Sequence, residues 1–266
     1  MKLRNVAIVA LLVLLAGCSP AEEATTPAEN AVSQNELFDS AVQQMSTAYF
    51  SHVPESATAL GIPESEVPGT SERMMDRSVS GNARRNAAFE TALEGLKSVD
   101  AAALSPNRQR TYAVLVTLFD GALSPSRVVD YGTTAGAWSM WYLPYPITQN
   151  SGPTVDMPNF LNSQQPVTTA EEAETYLVRL ASVKDALAGS LESYKHGVEQ
   201  GAIPPDFIVE KSLAVVEAFI EPEAGRNVLF LSFVERLEQA GIEDAESYAD
   251  RALKIIDGEV IPGYQK

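Results

Sequence analysis

The chain is 266 residues long, has a single cysteine and carries 35 acidic against 19 basic residues, a formal charge of −16. That charge repels phosphate backbones and anionic headgroups, which excludes nucleic acid as a partner class. One cysteine allows no intramolecular disulfide, so stability has to come from core packing.

Lys2 and Arg4 precede an uninterrupted apolar stretch from Val6 through Ala16, and Leu15-Ala16-Gly17 puts small residues directly before Cys18. This order is that of a secretory signal over residues 1–17, too short for a stable spanning helix. A thiol at the cut can take a diacylglyceryl group and the freed amine a further acyl chain. Two or three chains anchor durably where one is marginal. Cys18 is therefore expected to be lipidated, with the membrane as the partner it reaches. The uncharged Ser19 fits delivery to the periplasmic face of the outer membrane. The 249 residues from Cys18 onward carry −18, so acyl chains rather than electrostatics hold the body at a bilayer. Residues 18–33 are small, polar and proline-bearing, a flexible tether; residues 34–266 form the folded domain.

Ser33 with Glu36 gives a capping box, after which Leu37, Ala41, Met45, Ala48 and Tyr49 recur at helical spacing. Pro54 ends or restarts that helix, and Ala57 to Gly61 is a short helix closed by glycine. Residues 62–79 are irregular. A helix over Asn82–Val99 buries Ala83, Ala87, Phe89, Leu93 and Leu96, and Ser105-Pro106 starts another with Tyr112, Leu115, Val116, Phe119 and Leu123 inward. Glycines and prolines across 126–167 rule out long regular elements, leaving room for a short helix near Met157–Asn162. Thr168-Thr169 with Glu171-Glu172 caps the longest helix, whose stripe runs from Ala173 through Tyr176, Leu180, Val183, Leu187 and Leu191 to Tyr194 and Val198. After Gly201 and Pro204-Pro205, Ile208–Ile220 is the most apolar helix and is expected at the centre. Asn227–Ala240 and Asp244–Tyr264 complete the chain. The fold class is all-α: a multi-helix array with one long aromatic, proline-rich loop region and short strands at most.

Chemistry-bearing patterns are few. His52 and His196 are far apart and neither belongs to an HExxH, so each is expected to end a helix or sit at the surface. Nucleophile elbows, phosphate-cradling loops and a free cysteine are all missing from the sequence, and Met74-Met75 is too small a cluster for copper. No catalytic or metal residue is assigned. The local candidate is the stretch 138–160, where Trp138, Trp141, Tyr142 and Tyr145 alternate with prolines beside Thr148, Gln149 and Asn150. Stiff aromatic surfaces of this kind stack on peptide or sugar, and the three polar residues could hydrogen-bond an extended ligand. The competing reading is that the rings staple the loop to the helices.

Tyr142-Leu-Pro-Tyr-Pro-Ile-Thr-Gln-Asn-Ser-Gly-Pro153, then Met157-Pro-Asn-Phe-Leu161, Pro166-Val-Thr168 and Ala173 through Leu180 resemble the bacterial family called domain of unknown function 885. Gly201 through Ile208 and Pro54 through Gly61 fit the same pattern. The resemblance implies an exported or lipid-anchored helical protein, similar to zinc-dependent peptidases whose HExxH lies in the second half of a chain about twice this long. It therefore implies a non-metal-binding N-terminal half, inactive alone, with zinc expected only in full-length relatives. The alternatives are a stand-alone peptide- or glycan-binding lipoprotein, or a partner subunit for a separate catalytic half. The last helix, with Tyr248, Ala252, Ile255 and Ile256 in a stripe, is expected to need a cover and to dock that half.

Overall fold

The computed structural model describes residues 32–134 and 141–266, of which Gln34–Lys266 fold as one unit. Cys18, the signal, most of the tether and Trp138 lie outside the described residues. Those described form helices and no strand; the nearest thing to a sheet is two isolated antiparallel bridges, Thr133 with Leu143 and Thr148 with Ser151.

α1 (Gln34–His52), α3 (Val79–Lys97) and α4 (Pro106–Leu123) pack together around one apolar cluster. Phe38, Met45, Phe89, Leu93, Leu96, Phe119 and Leu123 are its large members, and the Phe89 and Phe119 rings meet edge-on at 5.6 Å. The short α2 (Pro54–Ala59) links α1 to an irregular stretch. A second cluster is built on the 30-residue α6 (Ala170–Glu199), against α5 (Pro153–Ser163), α8 (Val228–Ala240) and α9 (Ala245–Ile255). Its centre is the parallel stack of Tyr176 on Phe233, with centroids 4.3 Å apart. α7 (Asp206–Ile220) packs Val216, Phe219 and Ile220 against the edge of this cluster, resting on α5 and on the C-terminal α10 (Ile261–Tyr264).

The ends of these helices follow from local chemistry. Thr169 Oγ1 accepts the Glu172 amide at 3.2 Å while the Glu172 carboxylate accepts the Thr168 amide at 2.7 Å, a reciprocal cap reaching one residue further back than usual. Asn227 caps α8 by accepting from the Leu229 amide. Between α9 and α10, residues 256–260 widen into a π turn. Pro262 has no N–H to return to the carbonyl of Gly258, so the ladder there is already broken.

Several expectations are revised. The inward stripe of α1 uses Phe38, while Leu37 is exposed. α3 begins three residues early because Ser78 caps it, and its first inward positions are Asn82 and Arg85, with Ala83 and Ala87 outside. The Ser105 hydroxyl makes no cap bond. The helix near Met157 runs eleven residues, since Pro153 starts it at the one turn that needs no amide donor. The last helical segment needs no outside cover: Ala252, Ile256 and Val260 are fully buried against α6 and its neighbours. α7 is not central, and Ser212 is its one buried residue. Apolarity here does not bring burial: α7 keeps its apolar side chains half-covered or exposed.

The irregular stretch 70–77 is held by side chains. Arg179 of α6 is wholly buried and donates to the carbonyls of Thr70 and Arg73, to Thr58 Oγ1 and to Gln165 Oε1, with its guanidinium over the Phe160 ring. Glu55 accepts the Met75 amide, Arg85 donates to the Asp76 carbonyl and Ser193 to that of Arg77. A buried segment without a ladder of its own has to satisfy its backbone this way. α6 comes so close that a Cβ on Gly189 would lie 2.7 Å from the Ser78 nitrogen. Sequence did carry a signal for the two arginines. Arg85 sits four residues before Phe89, and Arg179 three after Tyr176, both on the inward stripe.

Candidate functional site

The loop after α4 is tied down by its own polar groups. Thr133 and Leu143 exchange two backbone bonds of 2.9 and 2.7 Å. The Tyr142 hydroxyl donates to the Tyr131 carbonyl at 2.6 Å, and burial pushes that hydroxyl up to about 12. Thr148 Oγ1 accepts from the amides of Asn150 and Ser151 and shares a 2.8 Å bond with the Ser151 hydroxyl, closing a tight turn. Tyr142 and Thr148 thus spend their polar atoms inside the loop. Trp141 is 48% exposed and Asn150 is exposed, Tyr145 is half-buried, and Gln149 holds its Oε1 in a buried position without a hydrogen-bond partner. Packing and display are divided among neighbours in one stretch.

The far end of the loop feeds Ile147 and Pro153 into a groove of about 850 Å³, bounded by the second half of α6, by α7 and by residues 258–266. The groove has a cause in the α6 sequence. Up to Leu187 the apolar stripe is buried, but from there Ser190, Ser193 and Gly197 turn inward. Gly189 and Ser193 let α6 lie against the 77–78 backbone, and Leu191 and Tyr194 are left lining the groove. α7 answers with Ile208, Val209, Leu213 and Val216. At one end Gly263 lets α10 come close, since a Cβ there would touch Leu187 at 3.0 Å.

Polar groups gather beneath. Thr154 lines the groove, but its hydroxyl is buried away from it and has no hydrogen-bond partner. Tyr264 donates to the Pro153 carbonyl at 3.0 Å, and burial drives its hydroxyl well above the ordinary range. Asp156 accepts the Gly152 amide at 3.0 Å; burial raises its carboxyl, against the field of Arg77. The rim is charged in both signs, with Lys184 paired to Glu259 and with Asp185, Glu192 and Lys195 alongside.

His52 and His196 both fall at helix ends, as their sequence context implies. The His52 ring meets Phe89 edge-on at 6.2 Å, and burial, with the fields of Arg85 and Arg73, lowers its pKa. His196 Nε2 lies 2.8 Å from the Asp130 carbonyl oxygen. Among the described residues no group of three His, Cys, Asp or Glu side chains comes together as a metal cage. The zinc that the resemblance associates with full-length relatives does not fit any such set here. Met74 and Met75 are buried core residues.

An all-helical body with one long apolar groove beside an aromatic loop defines the class: a helical module with an open face. The chain belongs to the family described as bacterial protein of unknown function (DUF885), whose model matches residues 54–266. No curated protein matches it. Among solved structures it is similar to a protein from Colwellia psychrerythraea classed provisionally as a lipoprotein, at 20% identity and a TM-score of 0.80. That similarity covers 88% of this chain and 40% of the other, so this chain spans less than half the length of its structural relative. No described helix is long and apolar enough to cross a membrane.

Proposed function

We propose that this chain is the non-metal-binding helical half of a peptidase-like envelope protein, tethered to the membrane through acyl groups on Cys18 and inactive in hydrolysis alone. The observation that carries this reading is the exposure of α7: a helix this apolar, with one buried residue, belongs beside more polypeptide. The larger size of the Colwellia relative supports it. In this reading the stretch 138–160 stands near the substrate peptide, with Trp141 displayed and Tyr142 and Thr148 stiffening the backbone beneath it. The envelope location rests on the signal pattern around Cys18 and on the provisional classing of that relative.

Two measurements test the reading. The purified chain should show no chelator-sensitive peptidase turnover; clear turnover abolished by chelator would overturn it. Cys18→Ser should move the protein from the membrane fraction to the soluble fraction, and unchanged membrane retention would remove the lipid tether from the account.

The exposed ring of Trp141 favours a second reading, a stand-alone lipoprotein that holds peptide or glycan. Alanine at Trp138 and Trp141 separates the two roles of the loop. Lost ligand with an unchanged melting curve identifies a binding surface; a lowered melting temperature identifies a packing role.

A further inference from the structure

We infer that the groove between α6 and α7 is the seat of an amphipathic α-helix belonging to the polypeptide that the longer relative carries outside the matched region. The inference rests on the half-molecule reading above and names where the second half engages.

The walls dictate the shape of the occupant. Both are helices, and the described residues offer no strand edge that could recruit an extended peptide by backbone pairing. Packed helices sit about 8–10 Å apart with side chains interleaved, yet α7 rests on α5 and α10 and an 850 Å³ space separates it from α6. The α6 wall from Lys184 to Lys195 is about 16 Å long at 1.5 Å per residue. That length takes three turns of a helix, enough for anchors at i, i+3 or i+4, and i+7. Leu191, Ile208, Val209 and Leu213 supply the apolar wall surface those anchors would meet.

The rim sets the flanks. Lys184 with Glu259 at one end, and Glu192 with Lys195 at the other, present both signs within a few residues. A membrane surface or a polyanion would call for one sign, whereas a helix with acidic and basic residues beside its apolar stripe complements both. The similarity leaves 60% of the Colwellia chain outside the match, ample polypeptide to provide such a helix.

The test places the photoreactive residue p-benzoylphenylalanine at position 213, half-exposed on the α7 wall, and at position 118 of α4 as a second face, in the natural protein within its own cell. Mass spectrometry of the cross-linked peptides reads the outcome. The expected product from position 213 is a helical segment of DUF885-type sequence lying outside residues 1–266, in the same chain or another. Cross-links from 213 to a second copy of residues 34–266, to an unrelated protein, or to nothing would overturn the seat. If the family segment is captured from position 118 and not from 213, the seat is wrong while the half-molecule reading survives; if neither captures it, that reading falls as well. Leu213→Glu adds an independent arm. The site is 54% exposed, so the melting temperature should stay within a few degrees while the family segment no longer co-purifies. Retention of that segment would also overturn the seat.

Discussion

Replacing Arg179 with Met removes the guanidinium and keeps most of the side-chain volume. Two backbone carbonyls, those of Thr70 and Arg73, and two side-chain acceptors, on Thr58 and Gln165, then lose their donor in a buried place. At about 1 kcal/mol for each orphaned acceptor, the low end of the usual range, the loss is about 4 kcal/mol. The contact with the Phe160 ring adds ~1 kcal/mol. Release of a charge whose burial depresses its pKa to about 10 returns part of this. The net expectation is a loss of about 3–4 kcal/mol, or roughly 10 °C in melting temperature for a domain of this size. Urea titration followed by far-ultraviolet circular dichroism measures it directly. Arg179→Lys should recover less than half, because one ammonium cannot span acceptors placed for a planar fork. A loss below about 1 kcal/mol for the Met variant would refute the view that this arginine holds the 70–77 stretch in place.

Gly189→Ala should destabilise by roughly 2 kcal/mol despite the better helix propensity of alanine, because the added methyl meets the rigid Ser78 backbone; an unchanged melting temperature would disprove the close approach. Glu64 is slightly buried, which raises its pKa, but bonds from Ser71, Gly69 and Thr70 outweigh this and hold it at about 2. Its folded pKa is thus depressed below the ordinary 4.5. Its stabilisation is complete above the unfolded value and fades as pH falls from there towards about 2, so Glu64→Gln should flatten that acid limb and leave a smaller pH dependence of stability. Tyr142→Phe should cost about 1 kcal/mol by leaving the Tyr131 carbonyl without its donor, read as a lowered urea midpoint with an unchanged slope.

Helix positions were legible because caps and breakers are local. Thr169 with Glu172, Asn227, and the Pro204-Pro205 pair each act within a turn of where they sit, so sequence alone locates the ends they set. Facing is a tertiary property and is less legible. The apolarity of α7 points to the centre, yet hydrophobicity states that a surface seeks cover and not what provides it. α6 shows the reverse: Leu191 and Tyr194 continue the apolar stripe in sequence, but Gly189 and Ser193 beside them are what the 77–78 backbone accepts. The candidate loop was legible as an ordered aromatic stretch. Its division between bonded and displayed side chains was not, because the Tyr142 and Thr148 partners lie in backbone atoms that any sequence would supply. The groove could not be foreseen, since it is a gap between elements rather than a property of either.

The side-chain clasp on residues 70–77 also orders events in time. The Thr70, Arg73 and Arg77 carbonyls find their donors 109, 106 and 116 residues further along. While the chain is being made from its amino end, those groups have nothing to hold them until α6 emerges. The α1–α3–α4 cluster can gather early from near neighbours, but the strap beside it stays open to water and to proteases for that interval. A chain interrupted before Arg179 would therefore carry a formed first cluster next to a cleavable ribbon, and nicking between Thr70 and Arg77 would mark every molecule that had not yet reached its sixth helix.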